Sequence, residues 1–200
     1  LHLSLRRQRQ MCIRDRFALA ACSDKNKQVF NNTDLTGLGY AKEFSLHDHN
    51  GKLRTLADFK GKAVVMFFGF TQCPDVCPTT MMEMSNVMKA LGPDADRVQV
   101  LFVTVDPERD TAALLAQYVP AFDPRFLGLR GDLAETEKVA KEFKVFYQKV
   151  PGKTPGSYTV DHTAGSYVFD PEGRIRLFIR HGQGIDPIVQ DLKTLLASKT

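Results

Sequence analysis

The chain has 200 residues, 43% of them hydrophobic and 25% charged, with Gly and Pro at ordinary levels; one globular domain with a short appendage fits, and a disordered chain is excluded. Its formal net charge of +4 resides in residues 1–16, where Arg6, Arg7, Arg9, Arg14 and Arg16 face Asp15 alone. The remainder is neutral, so no basic face for nucleic acid is implied, and no stretch reaches the roughly 20 apolar residues of a membrane helix.

Residues 1–39 read in three pieces. Residues 1–16 read as a non-native segment, because Met11-Cys12-Ile13-Arg14-Asp15 back-translates into what resembles a sequencing-library adapter, standing where the apolar part of an export signal belongs. Residues 17–24 carry Leu19-Ala20-Ala21-Cys22, the form of a bacterial lipoprotein processing box, which makes Cys22 the expected lipid attachment site. Residues 25–39 are polar, with Asn31, Asn32 and two glycines, and are expected to be a tether. The folded domain is expected over 40–200.

Within that domain, Asn50-Gly51 between two short alternating runs predicts a hairpin, and Leu56–Phe59 a single helical turn. Ala63–Phe70 is a continuous apolar run, the pattern of a strand covered on both faces. A helix follows over Thr79–Leu91, then a second buried strand at Val98–Val105, a helix at Thr111–Tyr118 and a short strand at Phe126–Leu129. Leu133–Phe143 is predicted helical and Val145–Gln148 extended, with a loop over Pro151–Ser157. Gly165–Phe169 and Ile175–Arg180 pair around Asp170-Pro171-Glu172-Gly173, and Ile188–Ala197 closes the chain as an amphipathic helix. Strand–helix–strand–helix, then a hairpin and a final helix, is the order of a thioredoxin-like α/β fold. The N-terminal hairpin and the inserted strand–helix unit match its peroxiredoxin-like branch.

Cys73 and Cys77 are placed where the first buried strand gives way to a helix, at the carboxyl end of a strand, where open α/β sheets carry their chemistry. Pro78 suits a first helical position, and Cys77 beside the cap would feel the positive end of the helix dipole, which favours thiolate. Two thiolates are a poor site alone, so a third ligand is sought among the five histidines. His2 falls in the non-native segment, His47 and His49 flank a turn and read as solvated, and His181 reads as a surface residue. His162, in Tyr158–Thr163 just before the C-terminal hairpin, occupies the loop that faces the cysteine turn in a thioredoxin fold.

GKAVVMFFGFTQCPDVCPTT, VTVDPERDT and YTVDHTAGSYVFDPEGRI, three motifs in order between Phe44 and Leu196, resemble the Sco/SenC family of copper-binding proteins, which serve assembly of the dinuclear copper centre of cytochrome c oxidase. The resemblance implies copper bound by Cys73, Cys77 and His162, and a membrane or lipid anchor, the second matching Cys22. The implied partner is the copper-accepting subunit of cytochrome c oxidase, on the periplasmic side of a bacterial membrane; the copper donor is not implied, nor is nucleic acid. The donor chemistry agrees: two thiolates and an imidazole suit trigonal Cu(I), or Cu(II) with an added oxygen ligand, whereas structural zinc takes four protein ligands. A three-residue spacer also leaves the cysteines able to form a disulfide.

Asp161 either orients His162 or caps a turn, and Asp75 either tempers the site's charge or forms the turn before the helix. Asp110 or Thr111 is expected to cap a helix with Arg109 in an ion pair. Met81, Met84 and Met88 fall on one helical face and read as core. Two further functions stay open: a thiol–disulfide oxidoreductase acting on periplasmic cysteines, and a peroxide-reducing enzyme, for which Thr71 partly fits the expected hydroxyl before the reactive cysteine.

Overall fold

A computed structural model of the chain describes residues 28–197; the readings of residues 1–16 and of Cys22 lie outside the described residues. Ten strands and four α-helices follow in chain order. β1 (Thr33–Asp34), β2 (Leu46–Asp48) and β3 (Leu53–Arg54) lead into a 3-10 turn at Leu56–Phe59 and β4 (Ala63–Gly69). α1 (Val76–Leu91), β5 (Val98–Thr104), α2 (Ala112–Tyr118), β6 (Leu127–Arg130) and α3 (Leu133–Glu142) come next. β7 (Tyr147–Pro151), β8 (Tyr158–His162), β9 (Gly165–Phe169), β10 (Ile175–Arg180) and α4 (Ile185–Ala197) complete the domain.

Eight strands form one sheet in the order β1-β10-β9-β4-β5-β6-β2-β3. β4 runs parallel to β5, and β5 to β6, while β9 joins β4 antiparallel. Every residue of β4 and of β5 is buried, as expected for β-branched and aromatic runs covered on both faces. Phe67, Phe68, Phe102, Phe143 and Phe169 fill the centre, and Phe143 touches Phe68, Tyr167 and Phe169 at ring-centroid distances of 5.3, 5.7 and 6.0 Å. α1 packs on α4 and presents Met81, Met84 and Met88 to this core, each 1% exposed or less. These methionines are packing groups; the long flexible side chains fill the space between helix and sheet.

Three departures from the sequence reading have physical causes. Part of the segment expected as a tether is docked: β1 pairs with β10, and Asn31 and Asn32 direct backbone and side-chain N–H groups at the buried carboxylate of Asp191 on α4. α1 starts at Val76, three residues before Thr79, so Pro78 is its third residue; first-turn N–H groups lack intrahelical partners, and the missing one costs nothing. The expected loop at Tyr158–Thr163 is mostly strand β8, paired antiparallel with β7 in a two-stranded ladder of its own.

Candidate metal centre

The loop 70–75 between β4 and α1 carries Cys73, and the first turn of α1 carries Cys77. Their spacing bends the loop so that the Cys77 backbone N–H donates to Cys73 Sγ at 3.4 Å. Cys73 is half-buried, Cys77 fully buried, and both are free thiols. His162, the last residue of β8, arrives from the opposite side and sets Nε2 3.5 Å from Cys77 Sγ. Phe67 and Phe70 meet its ring edge-on, with centroids 6.1 and 5.9 Å away.

The tautomer of His162 follows from its other nitrogen. Nδ1 lies 3.1 Å from the Thr163 carbonyl, which can only accept, so Nδ1 carries the proton and Nε2 turns its lone pair to the sulfur. Burial holds the imidazole below its ordinary pKa, with the Thr163 carbonyl and the Asp161 charge opposing, so the ring is neutral near pH 7. Burial also pushes the Cys77 thiol up, and the Phe70 backbone amide offsets only part of this. Loss of water around the sulfur thus works against the Cys77 thiolate that the helix dipole favours; a bound cation would supply the missing charge.

Cys73, Cys77 and His162 each offer one donor atom, and the three atoms lie within 4.8 Å of one another. Metal bonds of about 2.0–2.3 Å set trigonal donors roughly 3.5–4.0 Å apart, so an ion would need only a small adjustment of this set. Among the described residues no fourth His, Cys, Asp or Glu joins the group, which disfavours a closed tetrahedral zinc site and fits a soft, three-coordinate cation.

The other candidates separate cleanly. Asp161 is exposed and reaches His162 through its charge, while the hydrogen bond orienting the ring is to Thr163. Asp75 occupies the N-cap position of α1 without a side-chain cap bond and accepts from the Thr79 hydroxyl at 3.4 Å. Thr111, not Asp110, caps α2, accepting from the Leu114 N–H. Arg109 pairs with Asp106 as expected. His47 is exposed, but His49 is half-buried and accepts from the Gly128 N–H through Nδ1 at 3.0 Å, correcting its reading as solvated. His181 is exposed with Nδ1 3.0 Å from the Thr80 hydroxyl.

The role of Asp110 and two further residues around the centre escaped the sequence reading. Asp110, fully buried, accepts from the hydroxyls of Thr71 and Thr104 at 2.6 Å each, which commits Thr71 to a structural carboxylate. Gly69 leaves the room Cys77 needs: a Cβ there would sit 2.9 Å from Cys77 Sγ and 2.8 Å from the Phe67 ring. The Tyr118 hydroxyl is buried without a hydrogen-bond partner among the described residues. Only the glycine carried a signal, as a lone Gly ending an apolar strand.

Comparison with known proteins follows the same lines. The SCO1/SenC family model matches residues 33–197. The SCO2 homolog of mitochondria from Bos taurus is 38% identical over 158 residues, covering 78% of this chain and 59% of that protein, so the chain spans about three fifths of this relative's length. The structure of Bradyrhizobium japonicum ScoI with copper bound is 46% identical with a TM-score of 0.71, covering 76% of this chain and 97% of that one. Apo Sco1 from Thermus thermophilus is 41% identical with a TM-score of 0.75, covering 85% and 99%. With the family model spanning nearly the whole described domain, the chain belongs to the SCO1/SenC family.

Proposed function

We propose that this protein is a copper metallochaperone that takes Cu(I) or Cu(II) through Cys73, Cys77 and His162 and passes it to the copper-accepting subunit of cytochrome c oxidase. The observation that carries this reading is the convergence of two sulfurs and a lone-pair-bearing imidazole nitrogen within 4.8 Å. Capturing Cu(I) replaces the two thiol protons with the cation, and the half-buried Cys73 leaves one edge of the site open for transfer. The Leu19-Ala20-Ala21-Cys22 box supports a lipid tether at Cys22 on the periplasmic face of the membrane. No described helix is long and apolar enough to cross a membrane.

A second activity shares the same sulfurs. Cys73, the more accessible, would attack a partner's disulfide as thiolate; Cys77 would then resolve the mixed disulfide, leaving the partner reduced and Cys73–Cys77 oxidised. The separating experiment titrates the fully reduced protein with Cu(I) beside His162→Ala. One tight equivalent that weakens at least about tenfold without the histidine is expected. Loose binding indifferent to His162, with disulfide exchange intact in the variant, would instead leave a dithiol redox protein.

A further inference from the structure

The hairpin that delivers His162 is not part of the main sheet. β7 and β8 pair only with each other, and beyond β8 the chain is tied back to the strand entry by Thr163 and Phe146, which exchange hydrogen bonds of 2.9 and 3.0 Å. That tie lies within the hairpin itself and does not fix it to the cysteine loop. A separate two-stranded ladder is marginal alone, so something must hold its free length against the domain.

Arg109 does so. It stands in the 105–111 connection between β5 and α2, where its Nε pairs with Asp106, fully buried and itself held through Thr104. Its Nη1 donates to the Gln72 side chain at 3.0 Å, next to Cys73, and to the Tyr158 carbonyl at 2.9 Å, at the start of β8. The guanidinium carbon lies 3.7 Å from the centre of the Tyr158 ring and 5.8 Å from that of Phe70, the ring that packs edge-on against His162. Tyr158 returns a hydrogen bond from its hydroxyl to Asp106 at 2.8 Å. One side chain thus joins the loop of Cys73, the β5–α2 connection and the strand of His162. A planar fork that donates and stacks at once is a task for arginine; lysine has neither the plane nor the fork.

We propose that Arg109 is a positioning residue for copper capture, acting through His162 by clamping the β7–β8 hairpin onto the cysteine loop. This rests on the copper-site reading above. The test is a double-mutant cycle on the reduced full chain, with Cu(I) affinity measured by competition against a colorimetric chelator for the wild type, Arg109→Ala, His162→Ala and the double variant. Arg109→Ala is expected to weaken binding about 10- to 100-fold in the wild-type background and to add nothing once His162 is gone. Arg109→Lys, which keeps the charge, is expected to recover only a small part. Equal losses in both backgrounds, or no loss in either, would overturn the proposal.

A copper-free readout separates this from failure of the copper reading. The His162 ring lies edge-on to Phe67 and Phe70, so its protons are expected to show ring-current shifts in an NMR spectrum of the apo protein. Arg109→Ala and Arg109→Lys should move these resonances toward random-coil values, with the core aromatic signals unchanged. Unmoved His162 resonances would overturn the clamp whether or not copper binds, and Arg109→Lys keeps the test open should the alanine variant fail to fold.

Discussion

Gly69 shows how tightly single residues are held around the two sulfurs. The strand ends against the cysteine loop with the Phe67, Phe102 and Cys77 side chains all crowding the place where a Cβ would stand, at 2.8, 3.0 and 2.9 Å. Gly69→Ala is therefore expected to destabilise the fold by about 1–3 kcal/mol, the usual cost of overfilling a packed site, and to push Cys77 Sγ off the line to His162. Thermal unfolding and Cu(I) affinity check it together; an alanine variant as stable and as tight as the wild type would show that the loop relaxes freely. The same scale explains His162. A histidine four residues into a strand would be unremarkable, but the Thr163 carbonyl fixes its tautomer and two phenylalanine rings fix its plane.

At the scale of elements, the N-terminal segment is part of the domain because one buried carboxylate gathers it. Asp191 on α4 accepts from the Asn31 and Asn32 backbone N–H groups at 2.9 and 2.8 Å, and from their side-chain amides at 2.9 and 2.8 Å. Replacing it leaves several donors facing each other without an acceptor. Asp191→Ala should cost about 2–3 kcal/mol and release β1 from β10, seen as faster amide exchange at Thr33 and Leu35 with β4 and β5 still protected. Uniform loss of protection across the sheet would show instead that the segment and the core unfold as one unit. Polar composition alone suggested a tether here because asparagines are equally at home in a loop and around a carboxylate on a helix 160 residues away in sequence.

Across the whole molecule, charge is balanced by local pairs. Arg125 donates twice from its side chain to Asp123 and holds that carboxyl below its ordinary value of 3.8. A depressed folded-state pKa means that the unfolded chain binds the proton more readily. The stabilisation is therefore present above the unfolded value and is lost as pH falls through the lower folded one. Urea unfolding of the wild type and Asp123→Asn should differ at about pH 5 and converge as the solution is acidified toward about pH 2. A gap that stays constant over that range would remove Asp123 from the acid-sensitive groups.

Sequence alone determined the thioredoxin-like α/β class, the two buried strands and most of the element order, β1 and β8 excepted, because long apolar runs bounded by Gly, Pro and Asn leave little choice of period. The β9–β10 hairpin came out with its bounds unchanged, since Asp-Pro-Glu-Gly between two apolar runs specifies its turn. The cysteine spacing, the expected place of His162 in a thioredoxin-like fold and the family resemblance together singled out Cys73, Cys77 and His162 before any geometry was known. What only the tertiary structure decided depends on how the chain is brought together: the full burial of Cys77, the orientation of His162 by Thr163 rather than Asp161, and the docking of residues 31–35. Arg109 belongs with these. An ion pair at Arg109 was expected from the sequence without a partner being named; Gln72 and Tyr158 lie 37 and 49 positions away, and only the folded sheet brings them within reach of one guanidinium.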